Sequence, residues 1–438
     1  MGRDVAGACE LPRRWTRLDL VRPASSRRTR MSRSLDSSRI PVVAFSHTRW
    51  AEGPRRPQHL LARLARQRPV FFVEEPVGDD DAAWLEHHEA CTGVTVLTPH
   101  LPVQSPGFHD DHLATLQSLI GRQLRQQGVD ETIAWLGTPM ALPLLGSLAP
   151  RAVVFDSADD GWPHDELPRQ WHQRESLLLR WSDLVLTRGP SHHEETLSRH
   201  RHALCLAGGA DAQLFAPQGA ASRIDTMLRA EQVQGRIPGP RLGCFGVIDE
   251  RIDFGLIHAL AAARADWQIV MVGPVRRVDP LELPRRSNIH WLGAQPEALL
   301  PQLVADWDVC LVPHAMNDAA RLMGCGAVLD YMAADKPVVC TPQRDLVSLF
   351  GDVLRFGHDA PSFIAACDWA LRESPDKRAE RVAEMHAVVA VHSWERAVQS
   401  LHEALAQLLA APRRADAPWC STPERGRANC RELREAAV

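Results

Sequence analysis

The chain has almost no lysine and almost no tyrosine. Lys336 and Lys377 are its two lysines, and Tyr331 is the single tyrosine beside 13 tryptophans. The cationic side chains are therefore nearly all arginine, as coding in a GC-rich genome would produce. There is no surplus of positive charge: 50 Lys+Arg against 54 Asp+Glu leave a formal net charge of −4. That excludes a general binder of nucleic acid, which needs a basic excess to neutralise phosphates. The ten cysteines contain no CxxC pair, and Cys244, Cys310 and Cys340 sit inside apolar runs. This is the pattern of reduced core cysteines and not of a disulfide framework. No apolar run reaches the roughly 18 residues of a membrane-spanning helix. Residues 1–30 are rich in Arg but lack the apolar core of a secretory signal. They are expected to be disordered, or an extension upstream of a start at Met31. A cytoplasmic protein is expected, with peripheral attachment to the inner membrane left open.

Several chemistries are missing as well. No GxxxxGK[ST] phosphate loop, HExxH metal pair, GxSxG elbow or catalytic-cysteine signature occurs. EHH (86–88), HDDH (109–112) and HHEE (192–195) look like metal-ligand clusters. Neighbouring residues on a helix point in different directions, so each is expected to be solvated helix surface. Gly324-Cys325-Gly326 lacks the third glycine of a dinucleotide fingerprint.

What is present is alternation. Short apolar segments such as PVVAFSH (41–47), PVFFVEEP (69–76), TIAWLGT (132–138), AVVFDSA (152–158) and DLVLTRG (183–189) read as strands. Helical patterns at 56–67, 111–127 and 168–182 fall among them. After a Pro/Gly-rich break, GRIPGP (235–240), a second series begins with RLGCFGVI (241–248), WQIVMVGPV (267–275), NIHWLG (288–293), DVCLVPH (308–314) and KPVVCT (336–341). Strands separated by helices of this length mean βαβ units and parallel sheets. The 438 residues suit two domains. The expected fold is α/β with two doubly wound domains, 36–215 and 216–395, facing across a cleft. Residues 361–410 read as helical throughout, and 1–35 and 411–438 as disordered ends.

Three stretches lie where ligands bind in such sheets, at the carboxyl ends of strands. SHTRWAEGPRRPQHL (46–60) follows the first strand and brings His47, Arg49 and Arg56 to the cleft. FGVIDERID (245–253) opens the second domain. Arg251 in it can clamp a phosphate or can simply pair with Asp249 or Asp253. NDAARLMGCGAVLDYMAADKPVV (317–339) is a glycine loop leading into a helix. Asp330, about two turns in, either accepts ribose hydroxyls or is an exposed helical acid.

Together these stretches resemble the GT-B glycosyltransferases of the group 1 (family 4) type. The blocks that carry the likeness, over about 40–400, are SHTRW with RPQHLLARLA and VEEP, FDSADD, ESLLLRWSDLVLTRGPS, FGVIDERID, IVMVGPV, LPRRSNIHWLG and YMAADKPVVCTP. The resemblance implies two Rossmann-like domains, with 396–410 crossing back onto the first. It also implies hexosyl transfer with retention from a nucleotide sugar to a glycan, lipid-linked or polysaccharide-precursor acceptor, without a metal or other cofactor. Donor-binding residues are then Gly246, Arg251, Asn317, Asp318, Gly324, Gly326 and Asp330. Catalytic roles fall to His47, Asp156 and Asp159, and acceptor-side roles to Arg49, Trp50, Arg56 and Gln58. Within 317–330 the chain departs from the family pattern, with Asp for Glu at 318 and 330, Ala320 for Thr, Gly-Cys-Gly for Ser-Pro-Thr and Ala327 for Lys. Two other readings stay open: a weakened pseudoenzyme that binds a sugar nucleotide or a partner, and a nucleotide-sugar epimerase.

Overall fold

A computed structural model describes residues 39–412, apart from 54, 79–81, 103–104, 106, 149, 158–169, 217–223 and 322. The ends read as disordered, 1–35 and 411–438, lie outside the described residues except for Ala411 and Pro412. The first sheet contains β1 (Val42–Phe45), β2 (Val70–Val73), β3 (Trp84–Cys91), β4 (Val94–His100), β5 (Ile133–Leu136), β6 (Ala152–Asp156), β7 (Leu184–Thr187) and β8 (Ala203–Cys205). Their order is β3-β4-β2-β1-β5-β6-β7-β8. All pairings are parallel except that of β3 with β4. The second sheet contains β9 (Arg241–Phe245), β10 (Gln268–Val272), β11 (Ile289–Trp291), β12 (Val309–Val312), β13 (Val338–Cys340) and β14 (Arg355–Phe356). It is wholly parallel in the order β11-β10-β9-β12-β13-β14. That is the doubly wound order, in which the chain reverses direction across the sheet between its first and fourth strands.

Helices cover both faces of each sheet, so the central strands must be apolar on both sides. β1, β2, β5, β6, β7 and β12 are accordingly buried at every residue. Within β9, Gly243 leaves room for Trp307. A Cβ at Gly243 would lie 1.9 Å from the indole ring, which is fully buried and donates its N–H to Gln234 Oε1 at 3.1 Å.

One expectation is corrected here. EHH (86–88) was expected on a helix and lies on the edge strand β3, where exposed charged side chains discourage pairing with another chain. The other two clusters lie on the single turn Asp110–His112 and the helix Pro190–Leu197. Among the described residues no group of three His, Cys, Asp or Glu side chains could hold a metal ion.

The stretch 361–410 forms three helices, Ala360–Leu371, Pro375–Val391 and Trp394–Ala410. Each begins at a side-chain cap. Asp359 accepts the Ser362 N–H, Ser374 the Lys377 N–H and Ser393 the Arg396 N–H. The last helix returns to the first domain. Its Trp394, Leu401 and Leu405 share one core with Val42, Leu60 and Trp135. His59 stacks on Trp394 with ring centroids 4.7 Å apart, and Arg63 Nε reaches Glu395 at 2.8 Å. Leu401 is completely buried in that core. Leu401→Ala should therefore cost about 2–5 kcal/mol of unfolding free energy, by lost transfer energy and a residual cavity. Denaturant melts would measure it. A loss below about 0.5 kcal/mol, the level of a surface substitution, would show that the helix does not stabilise the first domain.

Candidate functional site

The two sheets turn the carboxyl ends of their strands towards each other, and the loops that leave those ends build the site. On the second-domain side the loop after β9 begins at Gly246, with φ +139°. The loop after β10 begins at Gly273, with φ +150°, and a Cβ there would fall 1.7 Å from the Gly246 carbonyl oxygen. Only glycine permits that approach. It holds the two loops together and leaves open space over Gly246, where an added Cβ meets nothing within 4 Å.

Asp249 lies beneath these loops with no exposed surface. It accepts Arg251 Nε at 2.9 and 3.0 Å, Arg251 Nη2 at 2.6 Å and Arg277 Nη2 at 2.9 Å. Burial alone would raise its carboxyl, but the Arg251 guanidinium outweighs burial and the net shift is downward. Arg277 Nη1 also reaches Glu250 Oε1 at 3.3 Å, so two carboxylates answer the two guanidiniums. His314, at the end of β12, is kept neutral: burial and then Arg251 hold its imidazole down at about 4.

The loop after β12 joins this platform through Asn317. Its Nδ2 donates to the Glu250 carbonyl at 2.8 Å and its Oδ1 accepts the Ala320 N–H at 2.8 Å. Asp318 opens the short helix Asp318–Arg321. The helix Gly326–Ala333 follows, and its N-cap residue, Cys325, makes no side-chain cap bond. Cys325 Sγ instead donates to the Ala207 carbonyl of the first domain at 2.5 Å. The first N–H groups of this helix have no partner within it and form its positive end. A Cβ on Gly324 or Gly326 would meet nothing within 4 Å, while a Cβ on Gly208 of the first domain would lie 3.9 Å from the Gly326 N. Asp330, on the next turn, is partly buried. Burial pushes its carboxyl well up, and the carboxyls of Glu297 and Asp211 push in the same direction.

On the first-domain side the loop after β1 is organised by Glu74. Its carboxylate accepts Arg49 Nη1 at 2.9 Å, the Trp50 N–H at 2.8 Å and Thr98 Oγ1 at 3.0 Å. The expected acceptor-side residues therefore divide. Arg49 is tied to Glu74, Trp50 packs edge-on against Phe72, and buried Gln58 donates to the Arg49 carbonyl at 3.2 Å. Arg56 stands at the strand ends, with Nε 3.4 Å from Asp156 and Nη1 2.5 Å from the Leu206 carbonyl. His47 lies in the same loop, its imidazole held at about 4 by burial and then by Arg55. Asp159 lies outside the described residues.

Sequence reasoning missed Glu74, Arg277, Asp345 and Glu297. Glu74 stood inside the quoted VEEP block, and Arg277 two residues beyond the strand WQIVMVGPV. The other two became visible only across the domain boundary. Asp345 accepts both the N–H and the hydroxyl of Ser191, at 2.9 and 2.5 Å. Arg344 reaches Glu194 at 2.8 Å beside it. Glu297 Oε2 comes within 3.0 Å of where a Gly53 Cβ would lie. Burial pushes the Glu297 carboxyl up to about 7, against the pull of Arg55 and with the push of Asp211.

That shift fixes a pH dependence. The folded chain keeps the Glu297 proton to about pH 7, whereas the ordinary value is 4.5. The stabilisation is complete below the lower value and is lost as pH rises towards the upper one. Glu297→Gln should flatten the decline in stability across that interval, read from denaturant melts at several pH values. An unchanged slope would show that Glu297 is not buried between the domains.

Residues 239–373 match the family model described as glycosyl transferases group 1. A Bacillus subtilis (strain 168) protein named as a teichuronic acid biosynthesis glycosyltransferase, TuaH, is 28% identical over 155 residues, which is 33% of this chain and 38% of that protein. The chain thus spans under two fifths of the length of this curated relative. The E. coli trehalose-6-phosphate protein bound with UDP-2-fluoro glucose superposes with a TM-score of 0.60 at 14% identity, covering 85% of this chain and all of that one. The alpha,alpha-trehalose 6-phosphate synthase of Burkholderia multivorans does so at 0.58 and 16%, covering 85% of this chain and 99% of the other. At those identities the structural likeness speaks for the fold. The chain has the GT-B fold, and its residues 239–373 match the group 1 glycosyltransferase family.

Proposed function

We propose that this protein transfers a hexosyl group from a nucleotide-sugar donor to a glycan or lipid-linked acceptor in polysaccharide biosynthesis, with retention at the anomeric carbon. The observation that carries this reading is the platform at the strand reversal of the second sheet. Two guanidiniums share buried Asp249, open space lies over Gly246, and an uncapped helix end stands beside them. The donor's diphosphate fits there. As the bond from the anomeric carbon to the phosphate oxygen breaks, negative charge grows on the diphosphate. Arg251, Arg277 and the N–H groups of Gly326 and its neighbours are already oriented to meet that charge, so little reorganisation is needed. Hydroxyls of the donor ribose bond to the Asp330 carboxyl, and such bonds return it towards its ionised form. The acceptor hydroxyl enters from the first domain, past His47, Arg56 and Asp156. Gly324 and Gly326 compensate for the missing family lysine by letting the diphosphate approach the backbone.

Two relatives support the donor and product classes. The structural neighbour named above is bound with UDP-2-fluoro glucose, and TuaH is named for teichuronic acid biosynthesis. We place the reaction at the cytoplasmic side of the membrane. No helix among the described residues is long and apolar enough to cross a bilayer, and attachment there would be peripheral.

A panel of nucleoside diphosphate sugars, screened by calorimetry and by release of the nucleoside diphosphate, tests the proposal. Arg251→Ala should weaken the nucleoside diphosphate product roughly tenfold or more, the loss of one charge-assisted contact, and leave the free nucleoside nearly unchanged. Equal losses for both ligands would make Arg251 purely structural. We also propose that transfer needs no metal, since guanidinium groups and helix N–H groups neutralise the leaving group. Rates should persist in EDTA. Loss in chelator with recovery on adding Mg²⁺ or Mn²⁺ would overturn that part.

A further inference from the structure

A second concavity lies on the first domain, at the edge of the sheet opposite the cleft. It has a volume of about 580 Å³. Ala152, which opens β6, lines it together with Ser182 and Asp183 ahead of β7 and His202 ahead of β8. In a parallel sheet these amino-terminal edges face away from the ligand-binding ends. The cavity is therefore separate from the donor platform.

Its charge is lopsided. Arg180, Arg199 and Arg201 line it and are exposed. Arg151 also lines it, but Arg151 Nη2 is committed to the Leu409 and Ala411 carbonyls at 2.7 and 2.5 Å, which screens the carboxyl end of the last helix. The one carboxylate in the wall, Asp183, accepts the Val153 N–H through Oδ2 at 2.8 Å. The wall is also fixed. Between Arg199 and Arg201, the His200 ring is buried, with Nε2 3.0 Å from the Ser182 carbonyl and Nδ1 accepting the His202 N–H at 3.1 Å. These bonds hold the loop that presents the two arginines. Arg180 comes from a different element, the last turn of the helix Trp171–Trp181, with its guanidinium 5.2 Å from the Trp181 ring centroid.

We propose that this cavity binds a phosphate-bearing ligand through Arg180, Arg199 and Arg201. Three arginines lining one cavity from two elements suit a phosphate, whose three free oxygens can each take a charge-assisted pair. A carboxylate presents only two. Binding here does not compete with the donor, so the site serves to tether or to sense. The phosphate belongs either to a soluble phosphate ester or to an anionic lipid headgroup, and the two are separable by experiment.

Glycerol 3-phosphate is titrated into the full-length protein by calorimetry. In parallel, the protein is sedimented with phosphatidylcholine vesicles with and without phosphatidylglycerol. Heat with glycerol 3-phosphate and no vesicle binding assigns a soluble ester. Binding confined to phosphatidylglycerol vesicles assigns a headgroup. In whichever arm binds, Arg199→Ala and Arg201→Ala should each weaken the interaction roughly tenfold, the cost of one lost charge-assisted contact. Arg286→Ala, an equal charge change at an exposed position of the second domain, should leave binding unchanged. Each single variant is paired with a melting curve, and Arg180→Gln serves if a loop variant fails to fold. No binding in either arm overturns the proposal. So does binding that the cavity variants alter no more than Arg286→Ala does. Either result leaves the donor platform and its reaction untouched.

Discussion

A carboxylate with no exposed surface has to be paired, because an unpaired charge in the interior costs several kcal/mol. Asp249 is such a carboxylate, and much of the site follows from it. Its partners come from the loop after β9 and the loop after β10, so pairing it draws the two strand ends together. The Gly246–Gly273 contact lets the backbones come as close as the pairing requires. Asn317 then ties the loop after β12 to the same platform through the Glu250 carbonyl. Glu250, 3.3 Å from Arg277 Nη1, is the second carboxylate of this network, which joins both loops in one platform. Of the two readings of Arg251 drawn from the sequence, the pairing with Asp249 is present; the phosphate clamp is what we propose beside it.

The first domain supplies the closure. Asp211 and the Gly53 loop stand against Glu297 and Asp330, and burial raises both of those carboxyls, that of Glu297 to about 7. Ser191 is fastened to Asp345, and the Cys325 thiol to the Ala207 carbonyl. Cys325 occupies a position where Ser, Thr or Asp would normally cap a helix. Its sulfur turns across the domain boundary, which leaves the helix start without a side-chain cap. The last helix closes the circuit by returning to the core beneath β1, so both ends of the described chain contribute to the first domain.

The weak points of 317–330 relative to its family look different once placed in space. Ala327 packs against the second-domain core, and a Cβ at Gly324 or Gly326 would meet no neighbouring atom within 4 Å. Arg277, whose guanidinium pairs with Asp249 and Glu250, sits in a left-handed backbone conformation with φ +59°. Holding a non-glycine residue there costs energy that its bond to Asp249 offsets.

The sequence by itself determined the fold class. Apolar runs of strand length separated by helical stretches leave little but parallel sheets covered on both faces, and all the strands read from that pattern exist. It also marked the loops after β1, β9 and β12, because residues at strand ends in such sheets face ligands wherever they occur. It could not give the edge hairpin β3, since EHH has no period that separates an exposed strand from a helix face. Nor could it give the roles of the residues. Gln58, Arg49 and Trp50 share one motif with His47 and Arg56, yet Glu74 draws the first three into the fold. Glu297 meets Gly53, and Ser191 meets Asp345, across 244 and 154 positions of chain. Such pairs carry no local signal. Tertiary structure decided them, because a buried charge is matched by whichever partner folding brings within hydrogen-bond reach.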